Sequence, residues 1–325
     1  MSGSGADGEH GPAPFLTLII PVHCGERWIA ATLDSILSES VEDLEVIVID
    51  GSPDEASADI VRGYADRLAL DFVQRPDLAN FRTKVNFGVE RARASHVCIL
   101  CQDDLWLPGR LAAIRRWIAT APDAALHAGP VLMVDSDARS LGKLHCPLPT
   151  ETPVPTGLLV ERLLVQNFIC APAVVFRRDH WLAVGGMEVD LWYTADWDLW
   201  FKLADLGAVL YHPEMTAAFR IHGGAHTING SRDLVDFEAQ MRTVLDRHLD
   251  RVAPELSDPV ARAANASIRI NVALAAASAG SMAALGRALA QLVALGPRGI
   301  HRYLRDSRLF ERAFPRFRAR LTGAL

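Results

Sequence analysis

Along the first hundred residues the apolar positions follow two alternating periods. Short apolar, β-rich runs read as buried strands, FLTLIIPV at 15–22 and LEVIVID at 44–50, with Leu70–Gln74 and His96–Leu100 as two further short strands. Between them the apolar residues recur at helical spacing. Trp28, Ile29, Thr32, Leu33, Ile36 and Leu37 share one helix face, and Ile60, Val61, Tyr64, Ala65 and Leu68 share another within 54–68. The segment 80–94 reads as a third helix. Strands and helices joined by short turns predict an α/β fold, a mostly parallel sheet flanked by helices. After about residue 137 the strict alternation is lost. The stretch 145–157 holds four prolines and reads as loop. Residues 158–250 mix short elements, and 251–325 reads as an alanine-rich helical C-terminal region. The first fourteen residues, MSGSGADGEHGPAP, lack an apolar run and read as a disordered tail. The expected main domain is therefore 15–250.

In a sheet of this kind ligands bind outside the carboxyl ends of the strands. The residues there are Pro21–His23, Asp50–Ser52, Arg75–Asp77 and Gln102–Asp104. Three of the four ends carry an acid, which suits a base, a ribose or a metal but not a phosphate. Neither G-x-G-x-x-G after the first strand nor G-x-x-x-x-G-K-[ST] anywhere is present. The diphosphate of a bound nucleotide would therefore need a cation, and Mg²⁺ typically takes one or two carboxylates beside substrate phosphates.

Three constellations can carry chemistry. Cys101-Gln102-Asp103-Asp104 closes a buried strand, where adjacent acids are costly unless paired or metal-bound. The alternative is that Asp104 caps a helix opening near Pro108, and spacing leaves both open. Asp196 and Asp198 begin an amphipathic helix after Gly185-Gly186. The helix dipole there keeps a carboxylate ionised, as a general base or as a cap. Arg220-Ile221-His222-Gly223-Gly224-Ala225-His226 reads as a loop, because the glycine pair opposes a helix. Trp192, Trp197 and Trp200 surround the second constellation and read equally as sugar platforms or as core.

Composition narrows the partners. The 325 residues carry a formal net charge of −6, against nucleic-acid binding through a basic surface. No run of eighteen apolar residues predicts a membrane span. Five cysteines at irregular spacing, with no export signal, read as reduced thiols in the cytoplasm. Cys98-x-x-Cys101 lacks a second pair for zinc, and its burial in an apolar run argues against a redox role. Residues 298–325 hold eight arginines against two acids, interspersed with Ile300, Tyr303, Leu304, Leu309, Phe310, Phe314 and Phe317. Two readings stay open: an interfacial helix at the inner face of a membrane, or a helix packed on the main domain or on a second subunit of a homodimer. Removing the segment is expected to leave donor hydrolysis intact but to lower transfer to the natural acceptor or to weaken self-association.

Five segments in order resemble the family-2 glycosyltransferases of the GT-A fold, over roughly 15–250. They are LTLIIPVHCGERWIAATLDSIL, LEVIVIDGSPDEA, NFGVERARASHVCILCQDDLWLP, VGGMEVDLWYTADWDLWFKLADLG and FRIHGGAHTINGS. The Gln-Asp-Asp sequence is similar to that of rhamnosyltransferase-like members. The resemblance implies an inverting, metal-dependent enzyme using Mn²⁺ or Mg²⁺. Its donor would be a nucleotide-diphosphate sugar, UDP- or dTDP-linked first, and its acceptor a hydroxyl on a polysaccharide, glycolipid or small molecule. It implies Asp196 as general base, Asp50 at the nucleoside, Asp103 and Asp104 at ribose and cation, and His222 at the metal or diphosphate. The full donor-side set is Pro21, His23, Asp50, Arg82, Asp103, Asp104 and His222. Two departures stand out: Cys101 replaces an acid of the metal motif, and Ala195 replaces a Glu beside the base. They support the alternative of a nucleotide-sugar-binding or assembly protein with weakened turnover.

Overall fold

The computed structural model describes residues 13–224, 233–278, 280, 281, 283–321 and 323. Residues 1–12 of the expected tail, and His226, lie outside the described residues. The first half keeps the predicted alternation: β1 (Leu16–Val22), α1 (Ile29–Leu37), β2 (Leu44–Asp50), α2 (Ala56–Arg62), β3 (Leu70–Gln74), α3 (Phe81–Arg91) and β4 (His96–Ile99). Two helices are shorter than the apolar pattern suggests. Gly63 ends α2, and Tyr64 and Leu68 reach the core from turns instead. Asn80 is a cap and not a helical residue, its side chain accepting the Thr83 N–H at 2.9 Å.

The chain continues through β5 (Leu105–Trp106), α4 (Arg110–Thr120), β6 (Leu126–Ala128), β7 (Val131–Val134), β8 (Ser140–Leu144), α5 (Thr156–Val165), β9 (Val174–Arg177), α6 (Arg178–Ala183), α7 (Ala195–Ala204), β10 (Val209–Tyr211) and β11 (Ala217–Arg220). The described C-terminal helices are α8 (Leu234–His248), α9 (Pro254–Ser278), α10 (Ala283–Ala294), α11 (Gly296–Ser307) and α12 (Leu309–Leu321). The main sheet has the order β10-β6-β9-β4-β1-β2-β3, with β1 to β4 parallel and β9 reversed between β4 and β6. A smaller sheet, β5-β11-β7-β8, sits beside it.

Both faces of the main sheet are covered. Ile19, Ile47, Ile49 and Ile99 pack with Val85 and Val89 of α3, whereas Leu18, Ile20, Val46 and Val48 pack with Leu33 and Ile36 of α1. This two-sided burial is why β1 and β2 read as unbroken apolar runs.

The strand order reverses at β1, between β2 and β4, and the crevice opens there. β2 follows β1 as far as Val22↔Asp50, but β4 leaves it at Ile19↔Ile99. The Ile19 carbonyl accepts from the Leu100 N–H, so alternate residues 19, 21 and 23 face β4. Pro21 is one of these and has no N–H to offer, so the ladder stops. The Gln102 side-chain amide resumes it at His23. His23 N–H donates to Gln102 Oε1 at 2.6 Å, and Gln102 Nε2 donates back to the His23 carbonyl at 3.0 Å.

The C-terminal helices are built into this body. α9 and α11 pack on α5, and α12 packs on β8. Tyr303, Asp306 and Ser307 are fully buried, and Asp306 pairs with Arg305 at 2.6 Å. Removing 298–325 would therefore open two cores, which overturns the expectation that the segment is separable. The arginine-rich pattern alone does not reveal this, because its apolar residues divide between an inward and an outward set. No described helix is long and apolar enough to cross a membrane.

Candidate active site

The Cys101–Asp104 turn is held from two sides. Thr32 of α1 places its hydroxyl 2.7 Å from the Gln102 carbonyl and 2.9 Å from the Asp104 carbonyl. From the small sheet, Arg220 at the end of β11 donates its N–H to Asp104 Oδ1 at 2.9 Å and its Nε to the Asp103 carbonyl at 2.7 Å. Its guanidinium also lies 4.5 Å over the Trp28 ring. Two residues on, His222 Nε2 lies 2.8 Å from Asp103 Oδ2. The arginine and histidine of the closing loop thus meet the paired acids, and the Arg-x-His spacing serves both.

Asp104 is only 1% exposed, and its Oδ2 is buried with no hydrogen-bond partner among the described residues. Burial, reinforced by the neighbouring Asp103 charge, pushes its carboxyl well above the usual range. It caps no helix. α4 starts later, after Gly109 at φ 85°, and the N–H groups of Gly109 and Leu111 donate to the Glu39 carboxylate at 2.7 and 2.9 Å. One ligand atom each from Cys101, Asp103 and Asp104 lies within 4.8 Å of the others. The orphaned buried oxygen of Asp104 beside the Asp103 carboxylate fits a hard divalent cation. The thiol fits less well, because burial, then the charges of Asp104, Asp103 and Asp196, push Cys101 well above the ordinary thiol range and keep it protonated.

At the end of β2, Asp50 is 1% exposed. Its Oδ1 accepts from the Ser52 N–H at 2.8 Å and the Ser52 hydroxyl at 2.5 Å, and its Oδ2 is buried with no partner among the described residues. His23 reaches the same corner, with Nδ1 2.9 Å from the Gly51 carbonyl. The sequence reading overlooked Lys84. Its side chain lies across Gly51, where a Cβ would meet Lys84 Cε at 2.5 Å. It is 2% exposed, and burial lowers its ammonium to about 8 against the pull of Asp50. A signal did exist: Lys84 lies on the α3 face that buries Val85, Gly88 and Val89, an unusual place for a charge. Arg82 sits differently. It donates from Nε to the Val189 carbonyl at 2.9 Å and from Nη1 to the Trp192 carbonyl at 3.4 Å, pinning the approach to α7. Pro21 is buried in β1 and acts on the crevice by ending the β4 ladder.

Asp196 is placed by a chain of local constraints. Gly185 and Gly186 turn with φ of 77° and 71°, and a Cβ on Gly186 would meet Asn86 Oδ1 at 2.5 Å. Asn86 clamps the turn through the Met187 N–H and carbonyl, both at 2.9 Å. The segment then enters α7 with Thr194 at the cap position and Asp196 in the first turn. Asp196 Oδ1 accepts from the Trp197 N–H at 2.8 Å and Oδ2 from Asn167 Nδ2 at 3.2 Å. The dipole argument predicted a lowered pKa. Burial outweighs it and raises the carboxyl to about 6.

Asp198, two residues on, serves the fold. It is 1% exposed and held by Lys202 at 2.7 Å and His248 of α8 at 2.9 Å. Burial alone would raise its pKa, but these two partners outweigh it and bring it to about 2. The group therefore contributes stability above the unfolded carboxyl's range, lost as pH falls toward 2. Asp198→Asn is expected to lower unfolding free energy by about 2–3 kcal/mol at neutral pH while nucleotide binding persists. Urea denaturation checks it, and an unchanged midpoint would contradict the role. Of the tryptophans, Trp200 is fully buried and Trp197 donates to the Leu163 carbonyl at 2.8 Å, so both are core. Trp192 is half-buried and donates to Asp236.

A sheet whose switch point gathers acids, joined by a small sheet carrying further site residues, is the GT-A architecture of nucleotide-sugar-dependent glycosyltransferases. The chain belongs to Glycosyl transferase family 2, whose family model matches residues 17–181, just over half of its length. It is a glycosyltransferase. It is 24% identical over 235 residues to an uncharacterized glycosyltransferase of Rickettsia prowazekii, covering 70% of each chain. It is 25% identical over 241 residues to a PGL/p-HBAD biosynthesis glycosyltransferase of Mycobacterium tuberculosis, covering 73% of this chain and 87% of that one. Among solved structures, TarS of S. aureus superposes with a TM-score of 0.58 at 16% identity, over 78% of this chain and 43% of TarS. The mannosyltransferase PcManGT of Pyrobaculum calidifontis, in complex with GDP-Man and Mn²⁺, gives 0.55 at 18% identity over 91% and 84%.

Proposed function

We propose that the protein is an inverting glycosyltransferase moving a sugar from a nucleotide-diphosphate-sugar donor to an acceptor hydroxyl. The observation that carries this reading is the meeting of Asp103 and Asp104 with Arg220 and His222 beyond the end of β4, together with Asp196 in the first turn of α7, a carboxyl that burial raises to about 6. A base of that strength is largely ionised at neutral pH yet basic enough to accept a hydroxyl proton in the transition state. In this reading the nucleoside lies against Asp50 and Lys84, and the diphosphate points toward Asp103, Asp104 and His222. A divalent cation, Mn²⁺ or Mg²⁺, held by Asp103 and Asp104 would neutralise charge on the leaving nucleotide. Asn167 and the Trp197 N–H orient Asp196. Asp196 takes the acceptor proton as the acceptor oxygen attacks the anomeric carbon from the face opposite the nucleotide. The C–O bond to the diphosphate breaks in the same displacement, so configuration inverts. The structures of PcManGT with GDP-Man and Mn²⁺ and of TarS with UDP-GlcNAc support a nucleotide-sugar donor.

Nucleotide release from UDP-, dTDP- and GDP-sugars, with and without Mn²⁺ or Mg²⁺, tests the reaction, and NMR of the product anomer tests its stereochemistry. A product that retains the donor configuration would overturn the single-displacement reading. Absence of turnover with intact donor binding would favour the assembly-protein alternative.

Lys84 lies across Gly51, next in the chain to Asp50, so the corner holds a cationic donor and an anionic acceptor, a pair that would suit a base edge carrying both N–H and C=O. Lys84→Met keeps the apolar stem. It is expected to weaken nucleotide binding by about tenfold, the worth of one charge-assisted hydrogen bond, with kcat little changed. Calorimetry with the preferred nucleotide checks this, and an unchanged Kd would leave Lys84 as a packing residue.

A further inference from the structure

Helix α12 has two unlike faces. Inward, Ala319 is fully buried with Val131, Met133 and Leu141, and Pro315 lies against Gly142. Outward, Phe310, Phe314 and Phe317 fall within an arc of about 60° at a helical step of roughly 100°. They are 70%, 59% and 58% exposed. Three phenylalanines in line on a helix already packed on its other side form an exposed apolar stripe, with the Arg318 guanidinium 5.9 Å from the Phe314 ring. Arg318 and Arg320 lie about 80° to either side of it, with Arg316 further round. All three arginines are exposed. The one acid of the helix, Glu311, is turned to His145 and Arg308. This local basicity runs against a chain whose net charge is −6, so the stripe is bordered by the sign that matches lipid phosphate.

We propose that this face of α12 docks on an anionic lipid bilayer, the phenylalanines entering the headgroup–acyl boundary and the arginines meeting phosphates. A stripe of aromatics flanked on both sides by arginine is the arrangement of a helix lying in the membrane plane.

The test uses no donor or acceptor, so its outcome leaves the transfer reading untouched. Full-length protein is sedimented with vesicles of phosphatidylcholine alone, or of equal parts phosphatidylcholine and phosphatidylglycerol. Binding to the anionic vesicles only, weakened by salt, is expected. The triple variant Phe310→Ser, Phe314→Ser, Phe317→Ser should lose about tenfold or more in bound fraction while keeping its circular dichroism. The double variant Arg316→Glu, Arg320→Glu, which leaves the apolar stripe intact, should lose it as well. Wild-type protein remaining in the supernatant with anionic vesicles overturns the proposal. So does a serine variant that binds like wild type. A serine variant that only converts a dimer to a monomer in light scattering also overturns it, by showing that a second copy covers the stripe.

Discussion

Asp196→Asn is expected to lower the transfer rate by about 10²-fold or more, the usual worth of a general base. Nucleotide affinity should stay close to wild type, because Asp196 is bonded to Asn167 and the Trp197 N–H, apart from the nucleoside corner. The pH profile supplies a second readout. The carboxylate is the active form, so the rate should rise with pH through an inflection near 6, the value set by burial, and then level off. Stability supplies a third. A carboxyl whose folded pKa lies above its unfolded one is a burden on the fold at neutral pH, relieved as pH falls. With the folded value near 6 and the unfolded near 3.8, that burden is on the order of 3 kcal/mol. Asn carries no charge and keeps the same shape, so the variant should be as stable as wild type or more so at pH 7. A merely structural Asp196 predicts the reverse pairing: lowered stability with near-normal turnover. If Asp198→Asn proves inactive while Asp196→Asn transfers normally, the roles are exchanged.

The parts of this site that the sequence displays are those set by local pattern. β2 falls within the predicted limits because two-sided burial demands a nearly continuous apolar run, and Asp50 is legible as the last residue of that run. The choice between Asp196 and Asp198 is different. Both occupy the first turn of α7, and spacing puts either at a cap. What separates them is His248, fifty residues on, which approaches Asp198 only after α8 packs beside α7. Asp104 is a similar case. Its reading as a cap fails because Glu39 of another segment takes the N–H groups at the start of α4. The raised pKa of Asp196 was hidden for the same reason, since the dipole acts within one turn while desolvation comes from the whole fold. Lys84 and Gln102 contribute through contacts across the crevice, a lysine over a glycine and an amide standing in for a missing strand residue. The C-terminal arginines show the limit of composition. Their apolar companions form one pattern along the chain, yet Tyr303 is fully buried and Phe310 is 70% exposed.

Asp103→Ala is expected to remove metal-dependent nucleotide binding and leave the fold intact. The Asp103 side chain is one-fifth exposed and, among the described residues, its carboxylate is hydrogen-bonded to His222, while its carbonyl, which holds Arg220, survives the substitution. Losing one carboxylate from a two-carboxylate site should weaken nucleotide affinity in Mn²⁺ by about 10²-fold, somewhat more than a residue that merely orients a ligand. Thermal shift reads this directly. A ligand at a hundred times its Kd adds about 2.7 kcal/mol of stability, and the same concentration against a hundredfold weaker site adds about 0.4. The shift seen with nucleotide and Mn²⁺ should therefore nearly vanish in Asp103→Ala, with the shift in metal-free buffer unchanged. Asp104→Asn sharpens the reading. Asn can still accept the Arg220 N–H, and it removes a carboxyl that burial already pushes toward its neutral form, so apo stability should hold or rise. The Mn²⁺-dependent shift should fall nonetheless, because an amide oxygen carries no charge to offset the cation. If both variants keep the full shift, Asp103 and Asp104 only brace Arg220 and His222, and the diphosphate must find its positive charge in Arg220 or Lys84 instead.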